Sequence, residues 1–169
     1  AAPRDAILVE RDGLLEGRVE IAAVFGDLGG DAGRDEVGEA MRLFMLGNSV
    51  RRQGGSAAAE EVSVAYSPVA VTPDELGPGR DAAADDLSLH VSVDGRGLEN
   101  AGTRFFSGLA DRVLRLKRLN PLYAGSIVAA PALDAGPTLK IGDTLRIEMR
   151  DKAGHSIFGA IEQPVQRPG

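Results

Sequence analysis

Few side chains in this sequence are placed to do chemistry, and they fall in short clusters. Arg18 and Glu20 open the run RVEIAAVFG. Its near-continuous apolarity reads as a strand buried on both faces, so a charged pair at its start is conspicuous. A glutamate there serves as a general base only where burial lifts its pKa toward the working pH. Tyr66, in AYSPV, offers a phenol that either donates a hydrogen bond to a carbonyl oxygen or packs as an aromatic. Arg51-Arg52 is a short basic pair, either solvated or able to grip a carboxylate. The two histidines stand alone: His155 falls in a turn, and His90 on the outward side of a strand. Neither neighbours a nucleophile-elbow pattern, so acyl transfer by a serine triad has no support. There is no cysteine, which excludes disulfides, thiolate metal sites and a cysteine nucleophile.

The elements that must position these residues follow from pattern and punctuation. Ile7 to Glu10 is a short apolar run that suits an edge strand. Arg18 to Gly26 is a stronger strand, closed by Gly26-Asp27 and Gly29-Gly30. Asp35 to Leu46 predicts a helix, with Val37, Met41, Phe44 and Met45 on one stripe and Gly47 ending it. Asn48-Ser49-Val50 then leads out as an extended piece. Gln53 to Glu61 has no period and reads as a loop. Val62 to Val71 is extended but interrupted by Pro68. Thr72-Pro73-Asp74-Glu75 predicts a brief helical turn with Pro in its first position. Gly77 to Asp86 is loop, and Leu87 to Val93 alternates as a half-buried strand ended by Asp94-Gly95. Ser107 to Lys117 is the second helix, broken at Asn120-Pro121. Ser126 to Ala130 is a small buried strand.

The chain ends in a hairpin. Leu145, Ile147 and Met149 alternate with polar residues, DKAGH makes the reversal, and SIFGAIEQPV resumes extended structure. Gly159 within it marks a bulge or a close backbone approach. Strands outnumber helices and strict βαβ alternation is missing. The expectation is one domain over residues 1–169, mainly β with two packed helices, an α+β class.

A length of 169 residues is enough to bury a core without staples. Net charge is −6 with scattered basic residues, which argues against a nucleic-acid partner. No apolar run approaches the roughly 18 residues of a membrane span, and the start lacks a secretory layout. A soluble, cytoplasmic protein is the default expectation. The chain opens on Ala1, either trimmed or part of a longer product.

Four segments together resemble the fumarylacetoacetate hydrolase family. They are RVEIAAVFGD, MRLFMLGNSV, YSPVAVTPDELG and KIGDTLRIEMRDKAGHSIFGAIEQPV. They stand in the family's order, with AGSIVAA between the last two. The resemblance implies a mixed β-sheet roll and, from family habit, a homodimer. Family members are usually longer, and the loops at Gly54–Ala59 and Ala132–Pro137 look shortened here.

The family's chemistry rests on a divalent ion held by three carboxylates, two from an E-x-E and one from the Asp of an N-D-V-S segment. The ion polarises the oxygens of a 2-oxo acid or 1,3-dicarbonyl. Carried over by position, the E-x-E falls on Arg18 and Glu20, and the Asp on Ser49 beside a retained Asn48. The family's site lysine falls on Glu61 and its site threonine on Ala132. One carboxylate and a hydroxyl are a poor match for a hard dication, so neither metal nor other cofactor is expected. Glu20 and Tyr66 are then the candidate catalytic residues. Arg18, Asn48, Ser49 and Glu61 are the candidate substrate contacts, and Arg18 is expected to bridge Glu61 and Glu20 across the vacated position. The implied function is a metal-independent enzyme on a small carbonyl or dicarbonyl compound, by isomerisation, cyclisation or C–C bond chemistry. Two alternatives stay open: a non-catalytic relative that partners a homologous subunit or binds a ligand, and a conventional Mg²⁺-dependent hydrolase or decarboxylase of 2-oxo acids.

Overall fold

The structure is a computed structural model, described over residues 1–52, 60–76, 87–98, 107–119 and 121–169. Residues 53–59 and 77–86 of the expected loops, and Asn120, lie outside the described residues; the loop expected to run to Glu61 ends earlier, since Glu61 opens a strand.

Within them the chain is mainly β with two helices. The strands are β1 (Ile7–Leu8), β2 (Leu15–Phe25), β3 (Met41–Arg52), β4 (Glu61–Tyr66), β5 (Ser88–Val93), β6 (Arg96–Gly97), β7 (Ile127–Pro131), β8 (Thr138–Leu139), β9 (Thr144–Arg150) and β10 (Ile161–Gln166). The helices are α1 (Arg34–Ala40) and α2 (Ser107–Leu116), with a 3₁₀ turn at Pro73–Leu76 where the Thr-Pro-Asp-Glu signal predicts one. One sheet runs β4-β3-β2-β7 with β8 also on β2; the other runs β1-β10-β9-β5-β6. Among the described residues, only the β1–β10 pair is parallel.

The largest departure from expectation is at residues 35–46. A helix occupies only Arg34–Ala40, and from Met41 the chain is strand up to Arg52. Val37, Met41, Phe44 and Met45 mimic a helical stripe, but MRLFMLGNSV is also one continuous apolar run. Such a run fits a strand covered on both faces equally well, and seven successive residues, Phe44 to Val50, are buried. Gly47 therefore sits mid-strand and ends no helix. The register of β2 on β3 is continuous from Leu15↔Arg52 to Val24↔Leu43.

Alternation assigns the faces. Leu15, Val19, Ile21, Ala23 and Phe25 of β2, with Phe44, Leu46 and Val50 of β3, point inward to a cluster that also holds Leu145, Ile147, Met149 and Phe158 from the hairpin. Each large apolar side chain so buried contributes about 1.5–3 kcal/mol. The hairpin forms as expected, although its second strand begins only at Ile161. Gly159 turns the chain ahead of it at φ +72°, and a Cβ there would lie 2.6 Å from Pro68 Cγ, so the close approach is real.

One polar link crosses the core. Asn48 and Gln163 are almost fully buried. Asn48 Nδ2 donates to Gln163 Oε1 at 3.0 Å, and Gln163 Nε2 donates to the Asp5 carbonyl at 3.0 Å. The link joins β3 of one sheet to β10 of the other and to the N-terminal segment. Asn48→Leu is expected to cost about 1–3 kcal/mol, because it strands the Gln163 carbonyl away from water. Adding Gln163→Leu is expected to cost less than the two single losses summed. Urea unfolding of the three variants measures this.

Candidate functional site

The face of the β4-β3-β2-β7 sheet opposite the core carries the candidate residues in rows. Glu20 on β2 lies directly across from Gly47 on β3, and Gly47 from Tyr66 on β4. The next row is Arg18, Ser49 and Val64. A third pairs Glu16 with Arg51. Paired residues on adjacent strands point to the same side, so Glu20, Tyr66, Arg18, Ser49 and Arg51 share one surface, floored by the buried Ala22 and Met45. Gly47 lies between the two side chains of the first row. A Cβ on it would lie 3.5 Å from Tyr66 Cε1 and 3.6 Å from Glu20 Cβ. The phenol ring and the glutamate stem thus flank bare backbone, and any branched side chain there would push them apart.

Period two also separates neighbours in sequence. Asn48, expected among the substrate contacts, points into the core from the opposite face, where its amide donates to Gln163 and its Oδ1 has no partner. Ser49 is on the site face, 4% exposed, and its Oγ has no hydrogen-bond partner. The expected bridge from Arg18 to Glu61 and Glu20 does not form. Arg18 pairs with Glu16 at 3.5 Å, and exposed Glu61 pairs with Arg51 at 3.9 Å. Cross-strand geometry explains this, since each arginine reaches the acid one row along or across on its own side of the ladder. Ala132 is buried and donates its N–H to the Val19 carbonyl. The histidines lie elsewhere: His90 Nε2 contacts Ser88 Oγ at 3.0 Å and exposed His155 contacts Asp151.

Gly47 was missed as a site member because it was taken as the end of a helix, whereas Arg51, singled out in the sequence as a possible carboxylate grip, does lie on this face. Read as strand, residues 47, 49 and 51 fall on one side at once. Arg112 of α2, whose charge also reaches Glu20, carries no such signal.

The electrostatics set Glu20 apart. Burial pushes its carboxyl above the ordinary glutamate value of 4.5, while the nearby Ser49 hydroxyl and the Arg112, Arg18 and Arg51 guanidiniums pull the other way and lose. The Ser49 hydroxyl acts on the Glu20 carboxyl as a hydrogen-bonding neighbour, although it meets no strict hydrogen-bond geometry with any group. Tyr66 is raised as well, first by burial and then by the Glu20 and Glu61 charges, so it stays a protonated donor at neutral pH. The set fits a divalent ion badly. A single carboxylate and a neutral hydroxyl face the position, the Arg18 guanidinium stands across from Ser49, and among the described residues no three Asp, Glu, His or Cys converge. A fixed cation at that spot repels a second cation.

No protein-family model matches the sequence, and no curated protein matches it. Solved structures do match in three dimensions. A protein assigned to the fumarylacetoacetate hydrolase family from Yersinia pestis CO92 superposes with TM-score 0.71 at 18% identity, over 98% of this chain and 80% of that one. The fold is that of the fumarylacetoacetate hydrolase family. A 5-carboxymethyl-2-hydroxymuconate delta-isomerase from Mycobacterium smegmatis matches with TM-score 0.75 at 19% identity, over 99% and 65% of the two chains. A maleylpyruvate hydrolase from Sphingobium sp. SYK-6 matches with TM-score 0.77 at 15% identity, over 99% and 62%. The chain therefore spans just under two thirds of the length of these two enzymes. Within this fold the carried-over positions 18, 20 and 49 do come together on one face.

Two measurements check these assignments. The chain has two tyrosines and no tryptophan, so in a Tyr123→Phe background tyrosinate absorbance reports Tyr66 alone. Its midpoint is expected above the ordinary value of 10.0, and Glu20→Gln is expected to lower it. Stability supplies the second. A carboxyl whose folded pKa is raised is destabilising when ionised, so the cost is absent below the unfolded value and appears as pH rises through the folded one. Glu20→Gln should therefore raise Tm at pH 7, with the gap narrowing as pH falls through the raised folded value and gone below the ordinary 4.5.

Proposed function

We propose that this protein is a metal-independent enzyme acting on a small carbonyl or dicarbonyl compound, with Glu20 carrying a proton and Tyr66 serving the carbonyl oxygen. The observation that carries the reading is the Glu20–Gly47–Tyr66 row, which holds a carboxyl of raised pKa beside a protonated phenol. A carboxylate of raised pKa is a stronger base toward a carbon acid next to a carbonyl. As Glu20 takes that proton, negative charge gathers on the carbonyl oxygen, where the Tyr66 hydroxyl donates a hydrogen bond. Return of the same proton from Glu20 to another carbon, or to the oxygen, completes an isomerisation with no net change in protons. Structural likeness to an isomerase and a hydrolase of this fold supports the substrate class. Fold alone does not fix the reaction.

A second reading is favoured by a specific surface. Leu119, Tyr123 and Ile127 are 80, 67 and 47% exposed and close together in the chain, where β7 ends the β4-β3-β2-β7 order. A partner subunit, a second copy or a homologue, would cover them. In that case the protein serves as a binding or structural relative, as a homodimer or in a mixed pair.

The reaction is tested by solvent deuterium exchange at the carbon next to the carbonyl of pyruvate and acetylpyruvate, followed by proton NMR with EDTA present. The expected result is protein-dependent exchange that the chelator leaves intact, slowed by roughly 100-fold or more in Glu20→Gln and about tenfold in Tyr66→Phe. Exchange abolished by EDTA overturns metal independence. Exchange absent altogether favours the second reading, for which sedimentation velocity of Ile127→Asp against the native chain decides whether that surface pairs.

A further inference from the structure

Two buried polar atoms on the Glu20 face close no strict hydrogen bond: Arg51 Nε, and Ser49 Oγ, whose one polar neighbour is the Glu20 carboxyl. A buried donor left unpaired costs about 1–3 kcal/mol, and native structures rarely leave such groups without a role. The two residues are separated by one position on β3, so they project from the same side, roughly 6.5–7 Å apart along the strand. Arg18 stands directly across from Ser49 on β2.

We infer that Ser49, Arg51 and Arg18 form a subsite for the carboxylate group of the substrate, adjoining the Glu20–Tyr66 row. The inference deepens the enzymatic reading above and rests on it. The two guanidiniums are free to serve. Their ion pairs are long, 3.5 Å to Glu16 and 3.9 Å to Glu61, and all four side chains are about a third to a half exposed, where such pairs contribute little. Arg52, next in sequence, is by contrast tied to Glu60 and to the Arg11 carbonyl. The hydroxyl of Ser49 is covered, but the neighbouring arms of Arg18 and Arg51 are long and partly solvated, so a ligand enters by displacing flexible side chains and leaves the core intact.

The charge around the subsite selects the ligand class. Arg18 and Arg51 are balanced by Glu16 and Glu61, and Glu20 by the field of Arg112, so the subsite is near neutral before a ligand binds. A planar monoanion meeting one N–H, one O–H and a nearby guanidinium suits that balance. A phosphate dianion adds repulsion without matching geometry. Position 49 is decisive: an aspartate there would repel the same group that a serine accepts.

Equilibrium binding of pyruvate, measured by calorimetry, tests the subsite, with inorganic phosphate as the competing probe. Ser49→Ala and Arg51→Lys, the second keeping the charge but removing Nε, are each expected to weaken pyruvate roughly tenfold. Ser49→Thr, which restores a hydroxyl, should recover most of the loss, and Glu20→Gln should tighten binding by removing a nearby acid. Phosphate is expected to bind more weakly than pyruvate. Pyruvate that fails to bind the native chain, binding unchanged in both Ser49→Ala and Arg51→Lys, or phosphate binding as tightly as pyruvate each overturns the assignment. Pyruvate binding lost in these variants without any deuterium exchange in the native chain upholds the subsite and refutes the catalytic reading. Exchange that continues in Ser49→Ala and Arg51→Lys with unchanged KM does the reverse.

Discussion

The β2–β3 ladder is the constraint on which the rest depends. Its register is unbroken from Leu15↔Arg52 to Val24↔Leu43, and in a ladder of period two a slip of one residue exchanges every inward side chain for an outward one. That single register sends Val19, Ile21, Asn48 and Val50 to the core and leaves Arg18, Glu20, Ser49 and Arg51 together outside. Asn48 and Ser49 are neighbours in sequence and both appear on any motif-based list of site residues. The ladder gives them unrelated work. One carries a hydrogen bond between two sheets, and the other presents an unpaired hydroxyl beside a raised carboxyl.

Two glutamates show how the surroundings decide what a carboxyl is for. Burial opposes the charge of both Glu20 and Glu148. Glu148 on β9 accepts bonds from Arg150 and Arg146, with Ser156 also close, and these overcome burial and hold it below the ordinary range. It is a structural anion, spent on its partners. Glu20 has guanidiniums in its field but no direct ion pair, and burial wins. A carboxyl held that way is available to gain or lose a proton near its neighbours. The difference lies in direct contact against distant field, which at a partly solvated surface is much the weaker of the two.

The sequence carried most of the architecture and about half of the site. The terminal hairpin, the 3₁₀ turn, α2 and the alternating β5 were legible because each joins a clear period to a clear stop such as Asp94-Gly95 or Asn120-Pro121. Residues 41–46 were not, since six consecutive largely apolar residues satisfy a helical stripe and a doubly covered strand alike. That ambiguity had a direct cost at the site. With Gly47 taken as a helix end, nothing placed it between Glu20 and Tyr66, and the extended piece was read only as far as Val50, one residue short of Arg51. The positions of Arg18, Glu20 and Ser49 were legible through resemblance, and they do converge. The partner of Arg18 was not, because the reach of a long side chain to Glu16 or to Glu61 depends on cross-strand stagger that no spacing in sequence encodes.

On the proposed enzymatic reading, the arginine at position 18 narrows the reaction. A divalent ion withdraws electrons from a bound oxygen as a Lewis acid and lowers the pKa of bound water. A guanidinium does neither; it offers fixed N–H donors and one delocalised charge. Hydrolytic cleavage of a carbon–carbon bond needs both an activated water and a strongly polarised carbonyl. Moving a proton between positions of an already acidic 1,3-dicarbonyl needs a base, a donor and an anchored substrate. Of the reactions open to this fold, isomerisation therefore asks least that Glu20, Tyr66 and Arg18 cannot supply. Cyclisation comes next, since closing a ring by attack of an internal enol also proceeds by proton transfer under orientation. Cleavage comes last. On that reading, a guanidinium at position 18 favours the reactions in which no water has to be activated.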